Sequence, residues 1–313
     1  MAFCGVMKTY DIAVVGEIYV DHVLTGFAKW PEPGEEVFTH EYTKEVGGGA
    51  AITACALARL GRTVSLIGVA GEKEMPWIEQ RLSSFGVSSA ELCRGKGSTG
   101  ITISVSSKDD RSFFTYVGEN ARLEERLAGD SVLEHLIEAR HVHFAMPISI
   151  GLAERLLGTL HQANCNTSMD VGHQAAWLQD HANLGTCSKV QYLLPNEREA
   201  KMICGCDASA YLDFTQRSEW PSGVVKMGRA GAMMRSHNSA LHVCSPKVDT
   251  VDTTGAGDAF NAGFIDGLLD EAGGEECLRR GCVCGGLSTR TAGALRALPT
   301  RDDLKRCYKE TYG

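Results

Sequence analysis

Asp252-Thr253-Thr254-Gly255-Ala256-Gly257-Asp258 runs without a break into residues 259–269, where Phe260, Phe264 and Leu268 recur at i, i+4 and i+8. A turn of small residues therefore feeds an amphipathic helix. With so little side chain in the way, the backbone N–H groups of residues 255–258 converge at the positive end of the helix dipole, where an anion can be held without side-chain charge. Asp258 stands in the first turn, where a general base would take a proton from an attacking hydroxyl. The same donors would stabilise charge on a phosphoryl group in transfer. A Gly-x-Gly turn at a helix start is nevertheless common, and most first-turn aspartates only cap, so this stretch needs support from elsewhere in the chain.

Upstream, residues 141–227 alternate regularly: strand 142–145, helix 152–163, strands 167–170 and 192–194, helix 197–204 and strand 223–227. Such alternation predicts an α/β fold with a mostly parallel central sheet, helices on both faces and ligands at the carboxyl ends of the strands. The N-terminal part adds strands 12–16 and 64–69 and a helix over 77–85. Asp21 is placed just beyond the first strand. Gly47-Gly48-Gly49 opens a small-residue helix over 50–60. Two segments break the alternation: a strand expected over 37–46, and a hairpin of 99–106 and 112–117 turning at Lys108-Asp109-Asp110. We read these as a separate small β-sheet lid inserted in one domain spanning 1–313, built from about 17–45 and 99–117. A short hairpin, 232–235 with 240–243, precedes helices near 256–270, 276–290 and 301–310.

Composition excludes several classes. The 313 residues carry 31 Lys+Arg against 39 Asp+Glu, a net charge of −8, which draws the chain to neither nucleic acid nor an anionic membrane. The 12 cysteines, Cys4 the first of them, lie mostly in apolar stretches and read as small buried hydrophobes; Cys204/Cys206 and Cys282/Cys284 have C-x-C spacing, unlike zinc or thioredoxin-type sites. No basic leader with an apolar core opens the sequence and no apolar run reaches the roughly 18 residues of a membrane span, so a reducing, cytoplasmic setting is expected. G-x-x-x-x-G-K-[ST], strand-borne G-x-G-x-x-G, H-E-x-x-H and G-x-S-x-G are all absent. His141 and His143 share one strand face but lack further ligands in the pattern, and a core-edge pair is the simpler reading.

Residues 252–264 resemble the C-terminal signature of the PfkB (ribokinase-like) carbohydrate kinases throughout, and residues 47–61, from Gly47-Gly48-Gly49 to Leu60-Gly61, are similar to the N-terminal one. Pro195-Asn196-Glu197-Arg198-Glu199 and Lys226-Met227-Gly228-Arg229-Ala230-Gly231 extend the likeness over nearly the whole chain. The resemblance implies an ATP-dependent kinase acting on a primary hydroxyl of a sugar or sugar-like substrate. In it Asp258 is the base, and Gly255, Ala256 and Gly257 form the anion hole. Asn196 and Glu199 place Mg2+ and the nucleotide phosphates through water, Asn196 otherwise being a plain N-cap. Lys226, Gly228 and Gly231 lie by the nucleotide. Asp21, whose carboxylate accepts two hydroxyl hydrogens, binds the sugar with Gly47 and Gly48. Asp170 is a further lining candidate, ahead of Glu17 and Trp177. Asp252 and Thr254 match positions near a monovalent-cation site, with K+ the candidate ion. The lid implies a homodimer. Ile52 stands where many members carry a substrate-touching Asn, and Met146-Pro147-Ile148 lacks the acidic residue of ribose-specific members, so the acceptor stays open. A nucleoside kinase, with Ile52 and Phe113 or Phe114 forming a base slot, and a non-catalytic sugar sensor on the same scaffold are the alternatives.

Overall fold

The computed structural model describes residues 7–107, 111–172, 174–236 and 239–313. Cys4 and the turn Lys108-Asp109-Asp110 lie outside the described residues.

The chain begins with β1 (Tyr10–Val15), β2 (Tyr19–Phe27) and β3 (Glu41–Gly47), then α1 (Gly49–Arg59), β4 (Val64–Gly71) and α2 (Met75–Ser83). Next come β5 (Leu92–Gly95), β6 (Gly100–Ser107), β7 (Arg111–Tyr116), α3 (Leu123–Leu127), α4 (Asp130–Leu136), β8 (Ala139–Phe144), α5 (Ile150–Gln162) and β9 (Asn166–Met169). They are followed by α6 (Ala175–Gln179), α7 (Leu184–Cys187), β10 (Tyr192–Leu193), α8 (Glu197–Cys204), α9 (Ala208–Arg217), β11 (Val224–Lys226), β12 (Ala232–Ser236) and β13 (Ser239–Val243). The last elements are α10 (Ala256–Leu269), α11 (Gly274–Ser288) and α12 (Arg301–Tyr312).

The central sheet has the order β10-β9-β8-β1-β4-β5, with parallel pairing throughout. Buried on both faces, its strands send alternate residues to opposite cores. Ile12 and Val14 pack on one side with α1 and α10 through Ala54, Leu57 and Ala262. Ala13 and Val15 pack on the other with Phe144 and with Leu156 of α5. A backbone bridge between Asn196 and Lys226 ties this sheet to the antiparallel β11-β12-β13.

The lid is the four-stranded sheet β3-β2-β6-β7, antiparallel except for the parallel β2–β6 pair. Of its two inner strands, β2 is the one the sequence does not advertise: Asp21, His22 and Gly26 interrupt its β-formers. Asp21 therefore sits inside a strand rather than just beyond one. The strand expected over 37–46 begins only at Glu41, since residues 37–40 take no ladder partner. Asn120 fixes the lid to the body by bonding both backbone groups of Ile18, at 3.0 and 2.9 Å.

Helix α10 is anchored at its far end by Asp266, whose side chain has 0% exposure and meets three guanidinium groups. Arg62 Nε lies 2.7 Å away, Arg280 Nη1 2.8 Å and Arg301 Nη1 2.7 Å. One carboxylate thus joins the chain after α1 to α10, α11 and α12. Arg62 and Arg280 also pair with Asp270 and Arg280 with Glu276, so losing Asp266 strips Arg301 of its carboxylate and the cluster of its one fully buried anion, at a cost of about 3 kcal/mol. Asp266→Asn is expected to lower unfolding stability by that order in urea titration; an unchanged midpoint would show that the cluster holds nothing together.

Candidate active site

The candidate residues gather where the parallel strands end. Glu17 follows β1, Ala145 follows β8, Asp170 follows β9 and Asn196 follows β10, while Lys226 closes β11 of the neighbouring antiparallel sheet at its bridge to Asn196. In an open parallel sheet this is the edge at which ligands bind. The N-termini of α1 and α10 meet there: a Cβ on Gly49 would stand 3.0 Å from Asp258 Oδ1, and Thr53 Oγ1 donates to the Asp258 carbonyl at 3.3 Å.

Gly255 ends the loop in the left-handed region, φ 75°, where a side chain would be strained and would also meet Ala294 Cβ at 2.8 Å. Asp252 shapes the approach. Its two carboxylate oxygens accept the Thr254 amide at 2.8 Å and the Gly293 amide at 2.9 Å. The Ala256 amide donates to Thr253 carbonyl at 3.2 Å, so the expected three-residue cradle is already partly closed at that position. Among the described residues the amides of Gly255, Gly257 and Asp258 have no acceptor, and these are the donors left for an anion.

Asp258 is half-buried, and its carboxyl is pushed up to about 7 by burial first, then by the charges of Asp170, Glu199 and Asp21. Lys226 pulls the other way. Asp21 is likewise raised to about 7, by burial and by Glu45 across the strand pair. Glu45 is held by Arg81 at 2.7 and 2.6 Å, whereas among the described residues no donor reaches the Asp21 carboxylate. A Cβ on Gly47 would fall 2.1 Å from Asp21 Oδ2, so only glycine lets that carboxylate lie against the backbone. Gly48 caps α1 at φ 93° with the Glu17 carbonyl packed against it.

Asn196 and Glu199 form a reciprocal capping box on α8. Asn196 Oδ1 accepts the Glu199 amide at 2.9 Å, Glu199 Oε2 accepts the Asn196 amide at 2.8 Å, and Oε1 accepts Asn196 Nδ2 at 2.7 Å. Glu199 is buried and raised to about 7, by burial and then by Asp170. With every side-chain oxygen already accepting one bond, the pair suits outer-shell contact through water better than direct ligation; among the described residues no group of three or more His, Cys, Asp or Glu is placed to hold a metal. Gly228 and Gly231 bracket the turn after β11 with φ 54° and 97°.

Asp170, expected from the sequence to line the acceptor's place, has both carboxylate oxygens engaged. Its Oδ2 accepts Lys226 Nζ at 2.6 Å and Asn261 Nδ2 at 2.5 Å, and its Oδ1 accepts the Gly172 amide at 2.9 Å. Burial opposes its ionisation, but Lys226 wins and holds it below the usual carboxylate range. Asn261 was overlooked as a site residue, although it lies within the glycine-loop motif: facing inward one turn after the loop, it is the only polar side chain between Phe260 and Phe264. His141 Nε2 and His143 Nδ1 both bond Ser168 Oγ, at 2.7 and 2.8 Å, in the buried layer behind this cluster, where desolvation keeps both imidazoles neutral.

Residues 9–301 match the model of the pfkB family carbohydrate kinases. The chain belongs to that family. It is 24% identical over 301 residues to a ribokinase of Haemophilus influenzae, covering 93% of this chain and 96% of the relative. It is 23% identical over 279 residues to a 2-dehydro-3-deoxygluconokinase of Bacillus subtilis, covering 84% and 86%. An Arabidopsis thaliana ribokinase solved with ribose and ATP superposes with a TM-score of 0.85 at 23% identity, covering 96% of this chain and 99% of that one. The fold is therefore ribokinase-like, with the parallel sheet and small β lid expected from the sequence. Among the described residues, no helix of this family member is long and apolar enough to cross a membrane.

Two carboxyls raised to about 7 make a direct test. Carbon-detected NMR titration should give Asp21 and Asp258 midpoints near 7. Because the folded values exceed the unfolded ones, the stability these groups contribute is present below about pH 4 and is lost as pH rises through 7. Midpoints below 5 would mean that the site is open to water.

Proposed function

We propose that this chain is an ATP-dependent kinase that transfers the γ-phosphoryl group to a primary hydroxyl of a sugar or sugar-like substrate. The observation that carries the reading is Asp258: a half-buried carboxyl raised to about 7, beside bare loop amides and across from the unpartnered carboxylate of Asp21. A base of that strength is matched to neutral pH, and the amides beside it suit an anion.

In this reading Asp21 accepts hydrogen bonds from acceptor hydroxyls, with the glycine backbone at 47 and 48 leaving room for the ring. Asp258 takes the proton of the reacting hydroxyl. The amides of Gly255, Gly257 and Asp258 receive the transferred oxygens, and Gly228 and Gly231 leave the nucleotide a bare turn. Asn196 and Glu199 would hold Mg2+ through water, and the ion would supply charge neutralisation along the phosphate chain. A potassium ion beside Asp252 and Thr254 belongs to the same proposal; it would lower the charge cost of the loop and is tested by comparing rates in KCl and choline chloride.

The lid closes over the acceptor and keeps water from the phosphoryl group. Its outer face carries exposed Tyr42, Ile103, Phe114 and Tyr116, which we assign to a homodimer contact. Size-exclusion with light scattering tests it: Ile103→Glu with Tyr116→Glu should turn a dimer into monomers.

An ADP-release assay across free sugars, sugar acids, sugar phosphates and nucleosides identifies the acceptor and separates sugar kinase from nucleoside kinase. A ligand that raises the melting temperature with no ADP formed would favour a sensor instead. Asp258→Asn should keep folding and acceptor binding while turnover falls roughly 100-fold or more. Since the base must be ionised, kcat should climb with pH through about 7 and level above it. Gly47→Ala should raise acceptor KM at least about tenfold, because the new methyl group displaces Asp21. Full turnover in Asp258→Asn would remove the assignment of the base.

A further inference from the structure

Lys226 is the last residue of β11, with only about a tenth of its side chain exposed, and its ammonium has three hydrogens to place. One goes to Asp170 Oδ2 at 2.6 Å and a second to Asn261 Oδ1 at 3.3 Å. Asn261 also donates to Asp170 at 2.5 Å, so the three groups close a triangle that leaves the ammonium little freedom. The third hydrogen finds no acceptor among the described residues. Gly257 lies beside the ammonium: a Cβ there would be 3.5 Å from Nζ, and among the described residues the Gly257 amide has no acceptor. A buried ammonium would ordinarily be driven towards neutrality, but Asp170 and Glu199 keep it charged.

We propose that Lys226 is a fixed cationic donor to the phosphoryl group in transfer, and that Asp170 and Asn261 are positioning residues that aim it at the Gly257 amide. This rests on the kinase reading above and adds to it a chain-borne positive charge at the loop. A group held at the Gly257 and Asp258 amides lies beside Nζ, and the ammonium's spare hydrogen meets the negative charge that builds on the transferring oxygens. The nucleotide-binding part assigned to Lys226 from the sequence becomes a part in the chemical step. No proton leaves Lys226; the acceptor proton goes to Asp258 and the phosphoryl oxygens gain one charge-assisted hydrogen bond. The triangle holds the Asp170 carboxylate on Lys226 and Asn261.

The test compares kcat with KM. Lys226→Met alone strands the Asp170 charge, so the double variant Lys226→Met with Asp170→Asn, which removes both charges together, accompanies it. The double variant should melt close to the unchanged protein, keep the acceptor KM within about threefold and lose roughly 100-fold in kcat. Asn261→Ala should lose kcat about tenfold with KM unchanged, and Asn261→Gln should recover part of it. Unchanged protein without phosphoryl transfer to any acceptor would end the kinase reading itself. Active unchanged protein whose double variant keeps its kcat would overturn only the part given to Lys226. A measurement on the unaltered chain stands beside these should the variants not fold: in 15N-lysine spectra, adding ADP with aluminium fluoride should move one buried ammonium signal. Lys8, held by the carbonyls of Ile137, Ala139 and Ala163, should stay fixed. If no buried ammonium moves, the proposal fails.

Discussion

One ammonium among carboxylates sets the terms for everything at the sheet's carboxyl edge. Asp170, Glu199 and Asp258 all feel Lys226, and they feel one another through a poorly hydrated interior. Three negative charges cannot share one positive charge equally there. Asp170, in direct contact with Lys226, stays ionised, while Glu199 and Asp258 are pushed up towards neutrality. Geometry rather than residue type makes the division: Asp170 and Asp258 are the same side chain with opposite shifts. The one closed in by donors is held ionised, and the one without such donors among the described residues is pushed towards neutrality.

The rest of the site can be understood as making room for that arrangement. Asn261 lies on α10 about one turn beyond Asp258, so a single helix supplies both the half-buried carboxyl and the amide that steadies Lys226. Lys226 itself ends β11, beside the backbone bridge to Asn196 that also begins α8 and its capping box. A shift of that bridge would move Glu199 and Lys226 together. The two halves of the candidate nucleotide surface are thereby coupled through the backbone, which is stiffer than side-chain contact.

Much of this was legible in the sequence, for identifiable reasons. The strand–helix alternation from 141 onward announced the parallel sheet because crossover helices return the chain in the same direction, even though β8 and β9 carry His141, His143, Thr167 and Ser168 and β11 pairs antiparallel, and Gly255 marked the start of α10 because a positive φ there excludes most other residues. The lid's inner strand β2 was not legible. Asp21 and His22 break the pattern that a half-covered strand normally shows, and Asp21 does so because it faces the site. The partners of Asp170 were not legible either. A carboxylate at a strand end reads as exposed, and only the fold brings Lys226 and Asn261, 56 and 91 positions further along, to meet it. Asn261 itself left a weak signal, an amide on the buried face of an otherwise apolar helix.

The two ends of α10 do different work, and the difference bears on how rigid the loop is. At the C-terminal end Asp266 is locked by Arg62, Arg280 and Arg301, which leaves the helix axis fixed against α11 and α12. At the N-terminal end Gly255, Gly257 and Asp258 keep amides without an acceptor among the described residues, and a titratable carboxyl. Unsatisfied groups are tolerable where water or a ligand can reach them, and a donor set that does not move costs no reorganisation when charge develops. Placing the buried charge cluster two turns beyond the loop supplies that stiffness without putting competing anions into the amide cradle. Had the anchoring carboxylate stood one turn nearer, its field would have fallen on those amides and opposed any anion held there.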